Sequence, residues 1–158
     1  SFSPAWISLG ILYRREGYFS YAEAAFLQAL ETDPYNLVAM SNLASLYELT
    51  GKSEKSEYYK SEVKTHRLQN PYFRFELARE AFVNGNYDEA IDHLHAAIRR
   101  QDHESEFYSL LSLSYMMTGD SRSARRWMQQ AEETASVESE KQKYRRKLDF
   151  MKQYEGNN

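Results

Sequence analysis

Four of the six glycines, Gly17, Gly51, Gly85 and Gly119, stand 34 residues apart, and that spacing restricts the fold more than any other feature of the chain. The same step aligns Leu9, Leu43, Leu77 and Leu111, and beside them the small residues Gly10, Ala44, Ala78 and Ser112. It also aligns Tyr13, Tyr47 and Tyr115, then Ala22, Ser56, Ala90 and Ala124, then Ala29, Val63, Ala97 and Ala131. A fixed period of this length marks stacked supersecondary units, none of which buries its apolar face alone. With only six Gly and three Pro in 158 residues, and many strong helix formers, each unit is expected to be helical.

The aligned positions have physical roles. Small residues such as Gly10 and Ala22 let two helix axes approach, while Leu9, Tyr13 and Phe26 fill the flanking space. The periodic glycines fall where the first helix of each unit must end, because glycine takes the left-handed C-cap conformation without a Cβ penalty. Pro34 and Pro71 cannot continue a preceding helix but are tolerated in the first turn of the next. These signals predict helices near residues 4–16, 20–32, 36–50, 54–69, 71–84, 88–100, 104–118, 121–134 and 138–154. The last carries the stripe Tyr144, Leu148, Met151 and Tyr154 with charge around the rest, followed by Gly156, Asn157 and Asn158, which are expected to fray.

Read from Ser3, the markers Trp6, Leu9, Gly10, Tyr13, Gly17, Ala22, Phe26, Ala29 and Pro34 resemble the tetratricopeptide repeat. The resemblance implies an all-α right-handed superhelix, an α-solenoid, of four helix-turn-helix units over 3–36, 37–70, 71–104 and 105–138, with a C-terminal capping helix over 139–155. It also implies a concave groove lined by the first helix of each unit, in which a protein or peptide binds. A narrower resemblance rests on Asn70-Pro71-Tyr72-Phe73 followed by Leu77-Ala78-Arg79-Glu80-Ala81, which is similar to tetratricopeptide segments of bacterial proteins carrying a transglutaminase-like domain. It implies a C-terminal scaffold whose chemistry lies upstream. Such arrays also occur in envelope lipoproteins, so cytoplasm and periplasm both stay open. The chain begins at Ser1 without Met, which leads us to expect a piece of a longer protein.

Composition narrows the function classes. Twenty Lys plus Arg against 23 Asp plus Glu gives a net charge of −3, with no large cationic excess to draw the protein onto nucleic acid or anionic lipid. No apolar run approaches the length of a membrane span. The absence of cysteine removes disulfides and thiolate chemistry. His66, His93, His95 and His103 lack metal-ligand spacing and are expected on the solvated surface, so no metal or other cofactor is expected. No nucleophile beside a base, phosphate-cradling glycine loop or small-molecule site is legible, so an enzyme is not expected. The basic stretch from Arg122 to Lys152 is interspersed with acids and reads as a solvated face rather than an RNA site. Trp127 and Phe150, off the main stripes there, are candidates for partner contact.

The groove candidates follow from helix geometry. Tyr72, Phe75, Arg79 and Phe82 recur at i, i+3, i+7 and i+10 and share a face. Ile7, Ile11, Arg14 and Arg15 lie on the matching face of the first unit, Asn42 on that of the second, and Leu113 and Met116, with Met117, on that of the fourth. The family's carboxylate clamp, which reads chaperone C-termini, needs Lys, Asn and Arg at five set positions. Units one to three supply Ile7, Ile11, Asn42, Tyr72 and Glu76 there, and only Asn42 matches. An apolar or amphipathic segment with an acidic group, paired by an arginine, is the expected ligand. Phe75 and Phe82 carry two readings, groove lining or core replacement for the Trp and Tyr that this unit lacks at the positions of Arg74 and Ala81. The apolar N-terminal face, Phe2, Trp6, Ile7 and Ile11, supports an alternative, a homo-oligomer or an assembly contact within a longer chain.

Overall fold

Among the described residues, the four periodic glycines are the left-handed ones. In the computed structural model, which describes residues 2–156 and their side chains through Gln153, φ is 83° at Gly17, 73° at Gly51, 79° at Gly85 and 87° at Gly119. Each ends a helix with the same pair of hydrogen bonds. The glycine N–H donates three residues back, Gly17 to Arg14, and the next N–H donates five back, Tyr18 to Tyr13, Lys52 to Tyr47, Asn86 to Ala81 and Asp120 to Tyr115. This doublet satisfies carbonyls that the helix end would orphan. The Tyr154 position of the expected stripe and the fraying expected at Asn157 and Asn158 lie outside the described residues and side chains.

Nine helices follow among the described residues: α1 Ser3–Arg15, α2 Phe19–Thr32, α3 Leu37–Leu49, α4 Ser53–Arg67, α5 Pro71–Val83, α6 Tyr87–Ile98, α7 Ser105–Met117, α8 Ser121–Thr134 and α9 Glu138–Gly156. The fold class is all-α. Asn36 and Asn70, one period apart, each cap a helix by accepting two backbone N–H bonds, and Pro71 occupies the first turn where its missing N–H costs nothing. The helices form two compact units, the first ending at Leu68 and the second starting at Gln69.

In the first unit α1 packs on α2, α2 on α3 and α3 on α4. Its core is Ala22, Phe26, Leu43, Leu46 and Tyr47, with Ile7, Ala29 and Ala39 beside it. Helix α4 contributes only Ser56 and Val63 to the buried set. Lys60 stands where the first repeat has Phe26; it reaches outward to Glu48 at 3.3 Å and Glu57 at 3.4 Å, which a buried position would forbid. At the α2–α3 junction the Tyr47 hydroxyl donates to Glu23 at 2.8 Å and Lys52 pairs with the same carboxylate at 3.0 Å. Burial pushes the Glu23 carboxyl up, but the Lys52 and Tyr47 bonds outweigh it and hold it below its ordinary value.

The second unit repeats the arrangement, α5 on α6, α6 on α7, α7 on α8 and α8 on α9. One core cluster joins Ala78, Ala81, Ile91, Leu94, Phe107 and Leu111; the next joins Tyr108, Met128, Ala131, Tyr144, Leu148 and Met151. Burial of a Leu or Phe of this kind contributes about 1.5–3 kcal/mol. Arg74, at the position of Trp6, does not enter the core but sits 3.1 Å from Nδ1 of His93. His93 and His95 therefore correct the surface expectation: both are partly buried, His95 with its Nε2 3.0 Å from the Tyr115 hydroxyl and its ring 5.5 Å from Trp127. Trp127 stacks on Tyr108 at 5.8 Å and, partly buried, packs against both clusters.

Candidate functional site

Helices α1, α3, α5 and α7 begin at Ser3, Leu37, Pro71 and Ser105, each 34 residues after the last, and α9 begins at Glu138, one residue short of the next step. The final helix thus occupies the place of a first helix in a further repeat. That register brings three sets of side chains to equivalent positions in the second unit: Phe75, Arg79 and Phe82 on α5; Ser109, Leu113 and Met116 on α7; Lys143, Lys147 and Phe150 on α9.

The structure gathers them into two recesses that share Leu113. The first, about 370 Å³, is lined by Phe75, Arg79, Glu106, Ser109, Leu110, Leu113, Lys143 and Tyr144. The second, about 350 Å³, is lined by Leu113, Met116, Arg146, Lys147, Phe150 and Met151. Both fall at the lower end of the size range of ligand pockets. Phe75 is held by stacking on the buried Phe107 at 4.8 Å, and Tyr72 meets the edge of the same ring at 5.8 Å. The Tyr72 hydroxyl donates to Glu104 at 2.7 Å, and that bond to a carboxylate is the first cause of its upward pKa shift. Arg79 is exposed and donates to both oxygens of Glu76 at 3.2 Å.

The cations of α9 differ from Arg79. Lys143 and Lys147 lie over the Tyr144 ring, at 5.6 and 5.9 Å, and among the described residues no carboxylate forms an ion pair with Lys143, Arg146 or Lys147. Burial, and then the like charge of Lys143, hold the Lys147 ammonium below its ordinary value. The neighbouring Arg145 is engaged differently, with Glu132 at 2.7 Å.

The sequence-derived groove residues divide accordingly. Phe75, Arg79, Leu113 and Met116 line the recesses. Tyr72 stands beside them, half exposed. Phe82 packs against the core with its ring 5.4 Å from Tyr87, which favours the core reading for it. Phe75 satisfies both readings, packed on the core and lining the recess. In the first unit Ile7 is a correction: it is buried against Ala29 and Ala39, the place where α1 meets α2 and α3, and is accessible neither to a ligand nor to a second copy. Ile11 is exposed, Arg14 half-buried, and Arg15 exposed beside Glu16 at 3.2 Å. Asn42 turns back on its own helix, donating to the Val38 carbonyl at 2.8 Å. Phe2 and Trp6 are exposed, 79% and 37%.

Lys143, Arg146 and Lys147 were not among the sequence-derived candidates. The signal was available, since one more step of the period from Ser109, Leu113 and Met116 lands on Lys143, Lys147 and Phe150. Charge interspersion along α9 hid it, because a mixture of acids and bases along a helix says nothing about which face its cations share.

Comparison with known families identifies the scaffold. Three tetratricopeptide repeat models match the sequence, over residues 3–36, 25–58 and 75–138. The chain belongs to the tetratricopeptide repeat family. No curated protein matches it. Among solved structures it is similar to the MamA RS-1 ArsTM double mutant at 15% identity and a TM-score of 0.55, over 98% of this chain and 85% of that one, a likeness of fold alone. MamA structures from MSR-1 and AMB-1 are 22% and 24% identical with a TM-score of 0.46, over 84% and 86% of this chain and 76% of theirs. Tetratricopeptide repeats present helix faces to other proteins, and a protein-interaction scaffold is the functional class of this chain.

Proposed function

We propose that this chain binds a protein or peptide segment of apolar or amphipathic character with an acidic group, and that the inner face of α5, α7 and α9 receives it. Binding, not turnover, is the role. One observation carries the reading: Phe75, Leu110 and Leu113 share a recess with the cations Arg79 and Lys143. Apolar walls supply contact area, and cations at their margin select for carboxylate over amine. The chaperone-tail clamp is not the mode, because the Glu76 position offers a carboxylate where a cation is required. Affinity capture from the source organism, with wild type beside the Tyr72→Ala/Arg79→Ala double variant, tests the assignment. Loss of a defined set of proteins with the variant is expected, and equal recovery of every protein by both removes the groove.

A second reading has its own observation. Phe2, Trp6 and Ile11 are exposed on α1 and just before it, an apolar area that a monomer leaves in water. Self-association, or docking within a longer chain, would cover it. Light scattering of wild type and Trp6→Glu over a range of concentration separates the two, and a concentration-independent monomer in both removes self-association.

A further inference from the structure

The second recess is built differently from the first. Its floor is Leu113, Met116 and Met151, its outer wall is Phe150, 62% exposed, and its rim carries Arg146 and Lys147. On α9, Lys143, Arg146, Lys147 and Phe150 are i, i+3, i+4 and i+7, so three cations and one aromatic ring share a face. Glu106, the acid in the first recess, does not line this one. A partly buried lysine beside a second lysine, with no carboxylate paired to either among the described residues, is electrostatically unfavourable in the free protein. An anion delivered by a ligand removes that penalty, whereas a basic ligand increases it.

We propose that α7 and α9 form a second subsite of the binding face, in which Leu113, Met116 and Phe150 receive an apolar side chain and Arg146 and Lys147 pair with carboxylates flanking it. The occupant is thus an acidic–apolar segment of another protein, and α9 is part of the recognition surface rather than an inert cap. The inference rests on the reading that the inner face binds a segment, and Leu113, common to both recesses, lets one segment run from the first to the second. Charge complementarity decides the class of partner, since apolar area alone does not discriminate among segments.

Fluorescence anisotropy with a short fluorescein-labelled peptide, in which glutamates flank a Leu-Phe pair, tests this on the whole chain. Binding is expected to weaken about tenfold when the peptide glutamates become glutamine, and by a similar factor in the Arg146→Glu/Lys147→Glu variant. Added salt should weaken it further. Phe150→Ala, at an exposed position, should weaken it several-fold while the helical circular dichroism is unchanged. Unchanged affinity on charge reversal overturns the subsite; if Arg79→Glu alone then abolishes binding, the first recess stands without it. Failure of wild type to bind the peptide also overturns the proposal, while the capture experiment with Arg79 judges the broader reading separately. Displacement of the peptide by single-stranded RNA at equal concentration, or a dimer abolished by Phe150→Asp, reassigns the slot to nucleic acid or to a second copy and likewise overturns it.

Discussion

A Cβ built on Gly10 would lie 2.5 Å from Cε1 of Phe26. Phe26 is fully buried, so its ring has nowhere to retreat. The other three repeats carry a Cβ at the equivalent of Gly10, in Ala44, Ala78 and Ser112, and none of them has an aromatic ring at the equivalent of Phe26, where Lys60, Leu94 and Met128 stand. The glycine and the ring are one packing solution, used once.

This pairing predicts a sign inversion. In an ordinary helix interior Gly→Ala stabilises by about 1 kcal/mol. Here the overpacking costs about 1–3 kcal/mol and dominates, so Gly10→Ala lowers the urea midpoint. In a Phe26→Leu background the same change should be neutral or stabilising. Equal effects of Gly10→Ala in the two backgrounds would show that the ring is not the cause.

The C-cap glycines fail differently. Nothing lies within 4 Å of a Cβ built on Gly119, yet its φ is 87°. Gly119→Ala is therefore destabilising through backbone strain alone, by about 1–2 kcal/mol, and Gly119→Asn costs less because asparagine tolerates the left-handed region. Thermal melts of the two variants give the order; an alanine variant as stable as wild type would remove the strain argument.

The close helix crossing has a polar variant in two repeats. Ser56 Oγ donates to the Ala44 carbonyl at 3.0 Å, and Ser112 Oγ donates to the Ala124 carbonyl at 2.6 Å. The serine is on the second helix of its hairpin in one case and on the first helix in the other. Alanine already occupies the corresponding sites elsewhere, so Ser56→Ala and Ser112→Ala leave no steric problem and should each cost only about 0.5–1.5 kcal/mol. Loss of cooperative unfolding in either variant would contradict this.

The period, the hairpins and the caps were legible because each depends on residues whose backbone or size requirements are local: glycine at the turn, a small residue at the crossing, Asn36 and Asn70 at helix starts. What escaped was set by neighbours distant in sequence. Ile7 reads as an exposed apolar residue on a groove face, but Ala29 and Ala39 are both too small to keep it from the core. Trp127 lies off the stripe of its helix, and only the meeting of α6, α7 and α8 brings His95 and Tyr108 against it. The common face of the α9 cations follows from their spacing, but that it meets Leu113 and Met116 emerges once α9 is placed beside α7.

The partly buried histidines give the second unit a pH dependence of definite sign. Arg74 can only donate, so Nδ1 of His93 accepts at 3.1 Å, which leaves its proton on Nε2, 3.8 Å from Glu89. Burial first, and Arg74 second, lower the His93 pKa below its ordinary value; burial and Arg99 lower that of His95, against the opposing effect of Asp92. The unfolded chain therefore binds more protons than the folded one as pH falls through the ordinary histidine value of 6.5, and stability is lost from there down to each folded pKa. Glu23 and Asp120, held below ordinary values of 4.5 and 3.8, titrate lower still and leave this window to the histidines. The urea midpoint of wild type should fall between about pH 7.5 and pH 5. In His93→Gln/His95→Gln the amide retains an acceptor for Arg74 but does not titrate, so the profile should flatten. An undiminished slope in that variant would place the proton uptake elsewhere.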